Sequence, residues 1–283
     1  MASSAGSLRI GSRRFVVPPW RHLLTMVGIG AAAITFVSLT QGGGNPVDAF
    51  CYWRIDPAHP YTLGDSQFAY TPVAAQALTP FVQLPFAVFV ALIRLADLVA
   101  LVALAGPATL LVLLLPPVAA EINAANINFP MGLAVVAAFR WPALWAFPLL
   151  TKVTPGLGIL WFAVRREWRS FAIAAGTTAG LAAVSILAAP SLWTQYVEFL
   201  ANDTPHVGGW PFPYPLWLRL PLAVVLVIWG ARTNRRWVVP VAALLALPRL
   251  YFQSPALLLA VLPTLRDGWA SIERWGRRRR GVG

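Results

Sequence analysis

Residues 47–72 read VDAFCYWRIDPAHPYTLGDSQFAYTP, the longest polar interruption in an otherwise membrane-like chain. On both sides the sequence returns to apolar runs near 20 residues, the length that crosses a hydrocarbon core as a helix. That contrast decides the fold class: an all-α polytopic membrane protein, because a chain in lipid must satisfy its backbone internally. A membrane β-barrel would need short alternating strands rather than solid apolar runs. The island itself carries Asp48, Asp56 and Asp65, three of the ten acidic residues, together with His59 and the aromatics Tyr52, Trp53, Tyr61, Phe68 and Tyr70. Aromatics that dense beside carboxylates suit a site that grips a sugar or a lipid headgroup near the membrane surface. An interfacial aromatic belt on an ordinary loop has the same composition.

The whole chain agrees with this reading. Of its 283 residues 58% are hydrophobic and 11% charged, against roughly 25% charged in a soluble domain, so no sizeable soluble domain fits. The net charge of +12 is not a nucleic-acid signal. Its arginines cluster at the ends of apolar runs (13/14/21, 165/166/169, 232/235/236 and 274/277–280), the positive-inside pattern, which also attracts anionic lipid. The single cysteine, Cys51, excludes an intramolecular disulfide framework.

In chain order, residues 1–20 read as a basic cytoplasmic tail and the first span as uncleaved, from about 21 to 40. Gln41-Gly-Gly-Gly-Asn-Pro breaks that helix and opens an external loop over about 41–69. Asp48, Tyr52 and Asp56 share a face if that segment is helical, with Pro57 ending the helix at Asp56. A kinked span over about 70–92 leads to a tight turn at Arg94 and Asp97, whose spacing allows an ion pair. The next span covers about 98–119. The second island, from Glu121, lies in a loop over about 120–140, of which 129–140 is interfacial or re-entrant. A span over 141–162 is interrupted by Lys152 and Pro155. Residues 171–189 form an Ala/Gly-rich span suited to close packing. A third external loop over about 190–215 carries Glu198, Asp203, His206 and Trp210. A span over 216–229 follows. Residues 237–265 fold back as a hairpin with its tip at Arg249–Ser254, and 266–283 form a second basic tail. The expectation is about eight transmembrane helices, in a range of seven to ten, with both termini cytoplasmic and a transmembrane domain over 21–265. Six of the ten acidic residues then face outward. No nucleotide sugar or ATP is available there, so substrates must arrive on lipid carriers.

Among single residues, Lys152 is the only lysine, an ionisable group within an apolar region and so a functional candidate by default. It would hold an anion or Asn128, or else snorkel to an interface. Asn126 and Asn128 line a site or cap a helix. Asp56 and Asp65, beside Pro and Gly, read as turn formers. Arg219 is an anion ligand or a topology-setting arginine, and His206 a site residue or an exposed loop histidine. No His/Cys/Asp/Glu cluster has metal-ligand spacing, and neither a phosphate-cradling loop nor a Ser-His-Asp signature is present. No cofactor is expected.

Three pieces together resemble the family 87 glycosyltransferases, polytopic enzymes of the GT-C superfamily best known as actinobacterial mannosyltransferases. The first is Asp48 with Tyr52, then Pro60-Tyr61 and Phe68-Ala69-Tyr70-Thr71-Pro72, similar to the family's external-loop pattern. The second is Asn126-Ile-Asn128 with Lys152-Val-Thr-Pro155 downstream, although Ala125 stands where a glycine is common. The third is Arg219 at the head of a span.

The resemblance implies a GT-C-like fold in the plasma membrane and transfer of a hexose, with mannose first. The donor would be a polyprenyl-phosphate sugar and the acceptor a lipid-linked glycan or glycolipid. Asp48 would be the general base, on the external face, with inversion at the anomeric carbon. Tyr52, Tyr61, Tyr70, Asn126, Asn128, Lys152, His206 and Arg219 would bind substrate. Two other readings stay open. A transporter or flippase of a lipid-linked substrate would use the same kinked helices, but internal repeats are not evident. An inactive partner subunit is the other, because family members are commonly longer.

Overall fold

The computed structural model describes residues 8–9, 14–15, 19–42, 44–61, 68–202 and 214–265. Apart from a two-residue antiparallel pairing of Leu8–Arg9 with Arg14–Phe15, the described elements are helical. Four stretches are long and apolar enough to cross a membrane: Trp20–Thr40, Phe86–Leu113, Trp168–Ala188 and Leu216–Thr233. They turn much of their apolar surface outward. Leu23, Met26 and Ile34 on the first, Val184 and Leu187 on the third, and Trp217, Leu222 and Val225 on the fourth are all exposed. Apolar helix faces of that extent are the surface a bilayer covers. Shorter apolar helices at Asn128–Ala137, Thr154–Val164 and Ser254–Leu265 fill the space between them. At 1.5 Å per residue the first of these spans about 15 Å, half a hydrocarbon core.

Prolines and glycines set the breaks, and several fall elsewhere than the hydropathy pattern predicts. The expected span over 70–92 is two elements, a Pro72–Leu78 helix and the start of the Phe86–Ala105 helix. Pro80 and Pro85 separate them, because proline lacks the N–H that would continue either helix. The turn expected at Arg94 and Asp97 is the middle of the Phe86–Ala105 helix, where both side chains are buried. Arg94 donates to the carbonyls of Leu39 (2.7 Å) and Asn123 (3.3 Å), while both Asp97 carboxylate oxygens lack a hydrogen-bond partner. The helix yields instead at Gly106-Pro107, through a 3-10 turn into Thr109–Leu113.

The expected span over 141–162 is likewise broken. A 3-10 turn (Pro142–Trp145) and a short helix (Ala146–Leu150) end at Thr151, and a second 3-10 turn begins at Thr154. Residues 237–265 form two short arms, Val238–Leu245 and Ser254–Leu265, that pack on each other around the tip at 246–253. In the Trp168–Ala188 helix the expected close packing at small residues is absent at Gly176 and Gly180, where an added Cβ would meet nothing within 4 Å.

Packed apolar regions hold this together. Leu98, Leu101 and Leu104 meet Phe129 and Leu259. Trp145, Trp161 and Phe162 meet Ala223, Val227 and Val239. Tyr52, Phe68 and Phe89 form the floor beneath the first loop. Gly44, at φ +93°, ties that loop down: a Cβ there would run into Asn123 and Arg94, and the next residue's N–H donates to Asn123 Oδ1 at 2.9 Å.

Candidate active site

Asp48 lies in the first turn of the Val47–Trp53 helix, with Tyr52 one turn on. This helix ends at Trp53, so Asp56 does not share their face. Its carboxylate instead accepts the Ala58 N–H at 2.9 Å in a turn, and it pairs with His59 at 3.3 Å. That backbone bond, with help from His59, holds the exposed Asp56 carboxyl below its ordinary range. Asp65 and His206 lie outside the described residues, as do Asp203 and Trp210.

Asp48 and Tyr52 line a cavity of about 460 Å³ together with Tyr70, Asn126, Lys152 and Arg249, a size usual for a small-molecule site. Asp48 is half-buried, and Gln253 donates to its Oδ2 at 3.4 Å. Burial pushes the Asp48 carboxyl up, against the Lys152 charge and the Gln253 bond, which pull it down. A carboxylate so placed binds a proton more readily than an exposed one.

The two asparagines and the lysine form one network, made possible by two backbone turns with positive φ. Ala125, at φ +53°, takes the left-handed conformation that ends the Pro116–Ala124 helix. This is a position where glycine is the residue without strain, and the turn swings Asn126 and Asn128 to one side. Val153, at φ +58° and ψ −70°, closes a three-residue turn in which Thr154 N–H donates to Lys152 O at 2.8 Å. Positive φ on a β-branched residue stores strain, here beside the lysine.

Lys152 Nζ donates to Asn128 Oδ1 at 2.8 Å and to Asn126 Oδ1 at 3.3 Å, and lies 5.9 Å from the Tyr70 ring centroid. Asn126 Oδ1 also accepts the Ile127 N–H (2.7 Å) and the Tyr52 hydroxyl (3.1 Å). The Tyr52 and Tyr70 hydroxyls are 2.7 Å apart. Burial pushes the Tyr52 phenol up, so it acts as a neutral donor. Tyr61 donates to Tyr70 O at 2.9 Å and stacks on Phe199, 5.4 Å between centroids. It buttresses the wall from behind.

Arg219 is not in the cavity lining. Its guanidinium donates to four carbonyls: Tyr214 (2.8 Å), Leu245 (2.6 Å), Leu247 (3.0 Å) and Pro248 (3.3 Å). It thereby clamps the loop that carries Arg249 to the cavity. The cation that lines the site from this side is Arg249, for which the sequence signal was an arginine after proline at the tip of the apolar hairpin. Glu121, fully buried behind Asn128, is a second participant that sequence reasoning placed only on a loop. Among the described residues no group of three His/Cys/Asp/Glu side chains could hold a metal ion.

A carboxylate, two cations and a ring of aromatic hydroxyls around one cavity can accept a proton from a hydroxyl and stabilise an anion next to it. The sequence model of glycosyltransferase family 87 matches residues 68–266. No curated protein and no solved structure matches the chain. Tyr70, Asn126, Asn128, Lys152, Arg219 and Arg249 lie inside the matched stretch, while Asp48, Tyr52 and Tyr61 precede it. With most of its length covered, the chain belongs to glycosyltransferase family 87.

Proposed function

We propose a specific reaction for this chain, which family membership makes a membrane glycosyltransferase with a sugar donor and an acceptor. It moves a hexose, mannose first, from a polyprenyl-phosphate donor to a lipid-linked glycan or glycolipid, with Asp48 as general base. The observation that carries this reading is that one cavity gathers Asp48, Lys152 and Arg249. The base takes the proton of the acceptor hydroxyl as that oxygen attacks the anomeric carbon. The carbon–oxygen bond to phosphate breaks on the opposite face, so configuration inverts and a β-linked donor gives an α-linked product. Phosphate leaves as an anion and needs no general acid, unlike the leaving sugar of a glycosidase. It does need cations, and Lys152 and Arg249 supply them.

A lipid-borne donor is supported by a second, almost wholly apolar cavity of about 400 Å³, bounded by Ala74, Leu78, Phe147 and Leu181. It shares Tyr52 and Tyr70 with the first cavity, so a phosphate in one and an isoprenoid chain in the other would be continuous. The proposed topology has about eight spans in the plasma membrane, in a range of seven to ten, with shorter apolar helices added to the four long ones. Both termini are cytoplasmic and the Asp48 cavity is external, where donors come on lipid. The wider likeness to the actinobacterial mannosyltransferases belongs to the same proposal.

The test is transfer of radiolabelled mannose from polyprenyl-phosphate mannose to endogenous glycolipid, in membranes carrying wild type or Asp48→Asn at equal protein levels. Transfer by wild type and its loss in the variant is the expected result. Transfer that survives in Asp48→Asn would remove the base from Asp48. Silence of wild type with both mannose and arabinose donors would overturn the reaction.

A further inference from the structure

Glu121 is fully buried in the last turn of the Pro116–Ala124 helix and is not among the cavity-lining residues. Both its carboxylate oxygens accept hydrogen bonds from one residue: Oε1 from the Asn128 backbone N–H at 2.8 Å, and Oε2 from Asn128 Nδ2 at 2.9 Å. The remaining polar atom of that amide, Asn128 Oδ1, accepts Lys152 Nζ at 2.8 Å. A carboxylate only accepts and an ammonium only donates. An amide between them therefore has one orientation that makes both bonds, NH2 toward Glu121 and C=O toward Lys152.

The structure assigns Glu121 the role of a positioning residue, which acts through the Asn128 amide to hold the Lys152 ammonium charged and aimed into the cavity. The assignment rests on the proposed function in one respect: the anion that Lys152 then meets is the donor phosphate. The relay solves a specific problem. A direct Glu–Lys pair would neutralise the cation and occupy its donors. An interposed amide passes the stabilisation on while the carboxylate stays out of the cavity, where it would repel phosphate. The remaining charged groups that act on Lys152 are Asp48 and Asp97, with the Tyr70 ring and Asn126 Oδ1 as neutral neighbours.

Lys152 is the only lysine in the 283 residues, so its protonation can be read chemically without reference to sugar transfer. The experiment is competitive acylation with acetic anhydride over a pH series on the purified full chain in detergent. The Lys152 peptide is quantified by mass spectrometry in wild type, Glu121→Gln and the swapped variant Glu121→Gln/Asn128→Asp. Glutamine keeps the volume but removes the anion. At a pH below the wild-type midpoint, Lys152 in Glu121→Gln is expected to acylate about tenfold faster, because a larger fraction of it is the neutral amine.

The swapped variant moves the carboxylate one step along the relay. The side-chain carbonyl introduced at position 121 accepts the backbone N–H of position 128. The NH2 of the same amide donates to the carboxylate introduced at position 128, and that carboxylate meets Lys152. Reactivity should fall at least back to the wild-type rate, because the carboxylate now lies next to the ammonium. An unchanged rate in Glu121→Gln, or a swap that fails to restore it, overturns the relay. If the single variant does not fold, acylation of the swapped variant at or below the wild-type rate supports the relay, and a rate about tenfold faster there sinks it. Because acylation needs no sugar, a silent transfer assay beside an intact acylation pattern would remove the phosphate role and leave the relay standing. In an active preparation, Glu121→Gln raises the donor KM more than it lowers kcat.

Discussion

The hydroxyls of Tyr52 and Tyr70, 18 residues apart in sequence, are 2.7 Å apart in space, and the pair forms the wall common to the polar and the apolar cavity. Each hydroxyl is the other's partner, and Tyr52 also donates to Asn126. Removing one hydroxyl leaves the other short of a partner in a buried place. Tyr52→Phe and Tyr70→Phe are each expected to cost about 1–2 kcal/mol, and the double variant less than their sum, by about 1 kcal/mol. Thermal unfolding of the four proteins in one detergent closes the cycle. Strict additivity would mean that the hydroxyls do not meet.

Asp48 must be deprotonated to act as a base, and burial pushes its carboxyl up while Lys152 pulls it down. Transfer should therefore fall on the acid side with a midpoint above the ordinary aspartate value of about 4. In Lys152→Gln the pull is gone, so the acid limb of the remaining activity moves to higher pH. In Lys152→Arg it stays near that of wild type. Initial rates from pH 4 to 8 decide the point, and an acid limb that Lys152→Gln leaves in place would separate the two groups.

Val153 is 40% exposed and has φ +58°, so it packs little and is strained. Relief of that strain, of order 1–3 kcal/mol, exceeds the roughly 1 kcal/mol entropic cost of a glycine. Val153→Gly should raise stability by about 1 kcal/mol while it loosens the turn that aims Lys152, lowering transfer severalfold. A variant that is both less stable and fully active would contradict this account of the turn.

Arg219 serves four carbonyls. Arg219→Met leaves them without their donor and is expected to cost roughly 3 kcal/mol or more, with a higher donor KM because the loop carrying Arg249 loosens. Unfolding and kinetics measured together separate two roles. A variant as stable as wild type but inactive would make Arg219 a phosphate ligand; one that is destabilised makes it the clamp described above.

Composition and hydropathy alone made the fold class legible: apolar runs between arginine clusters leave a lipid-embedded chain only helices. The pattern of Asp48, Tyr52, Tyr70, Asn126, Asn128 and Lys152 was legible too, as polar residues in places where burial without a partner is costly. Only the tertiary structure decided which of them meet. Hydropathy does not register where proline and positive-φ turns break an apolar run, so it joined 70–92 and 141–162 into spans that are each divided. The turn at Ala125 and the turn at Val153 bring Lys152 onto Asn128, 24 residues away. Neither follows from the residue present, because alanine and valine do not ordinarily take positive φ and packing must impose it; the glycine common at position 125 in the family is the one trace of the first turn. For the same reason Arg219 and Arg249 look alike in sequence as arginines in apolar surroundings. One is used up by backbone carbonyls and the other faces the cavity, and that division depends on where the 246–253 loop comes to rest.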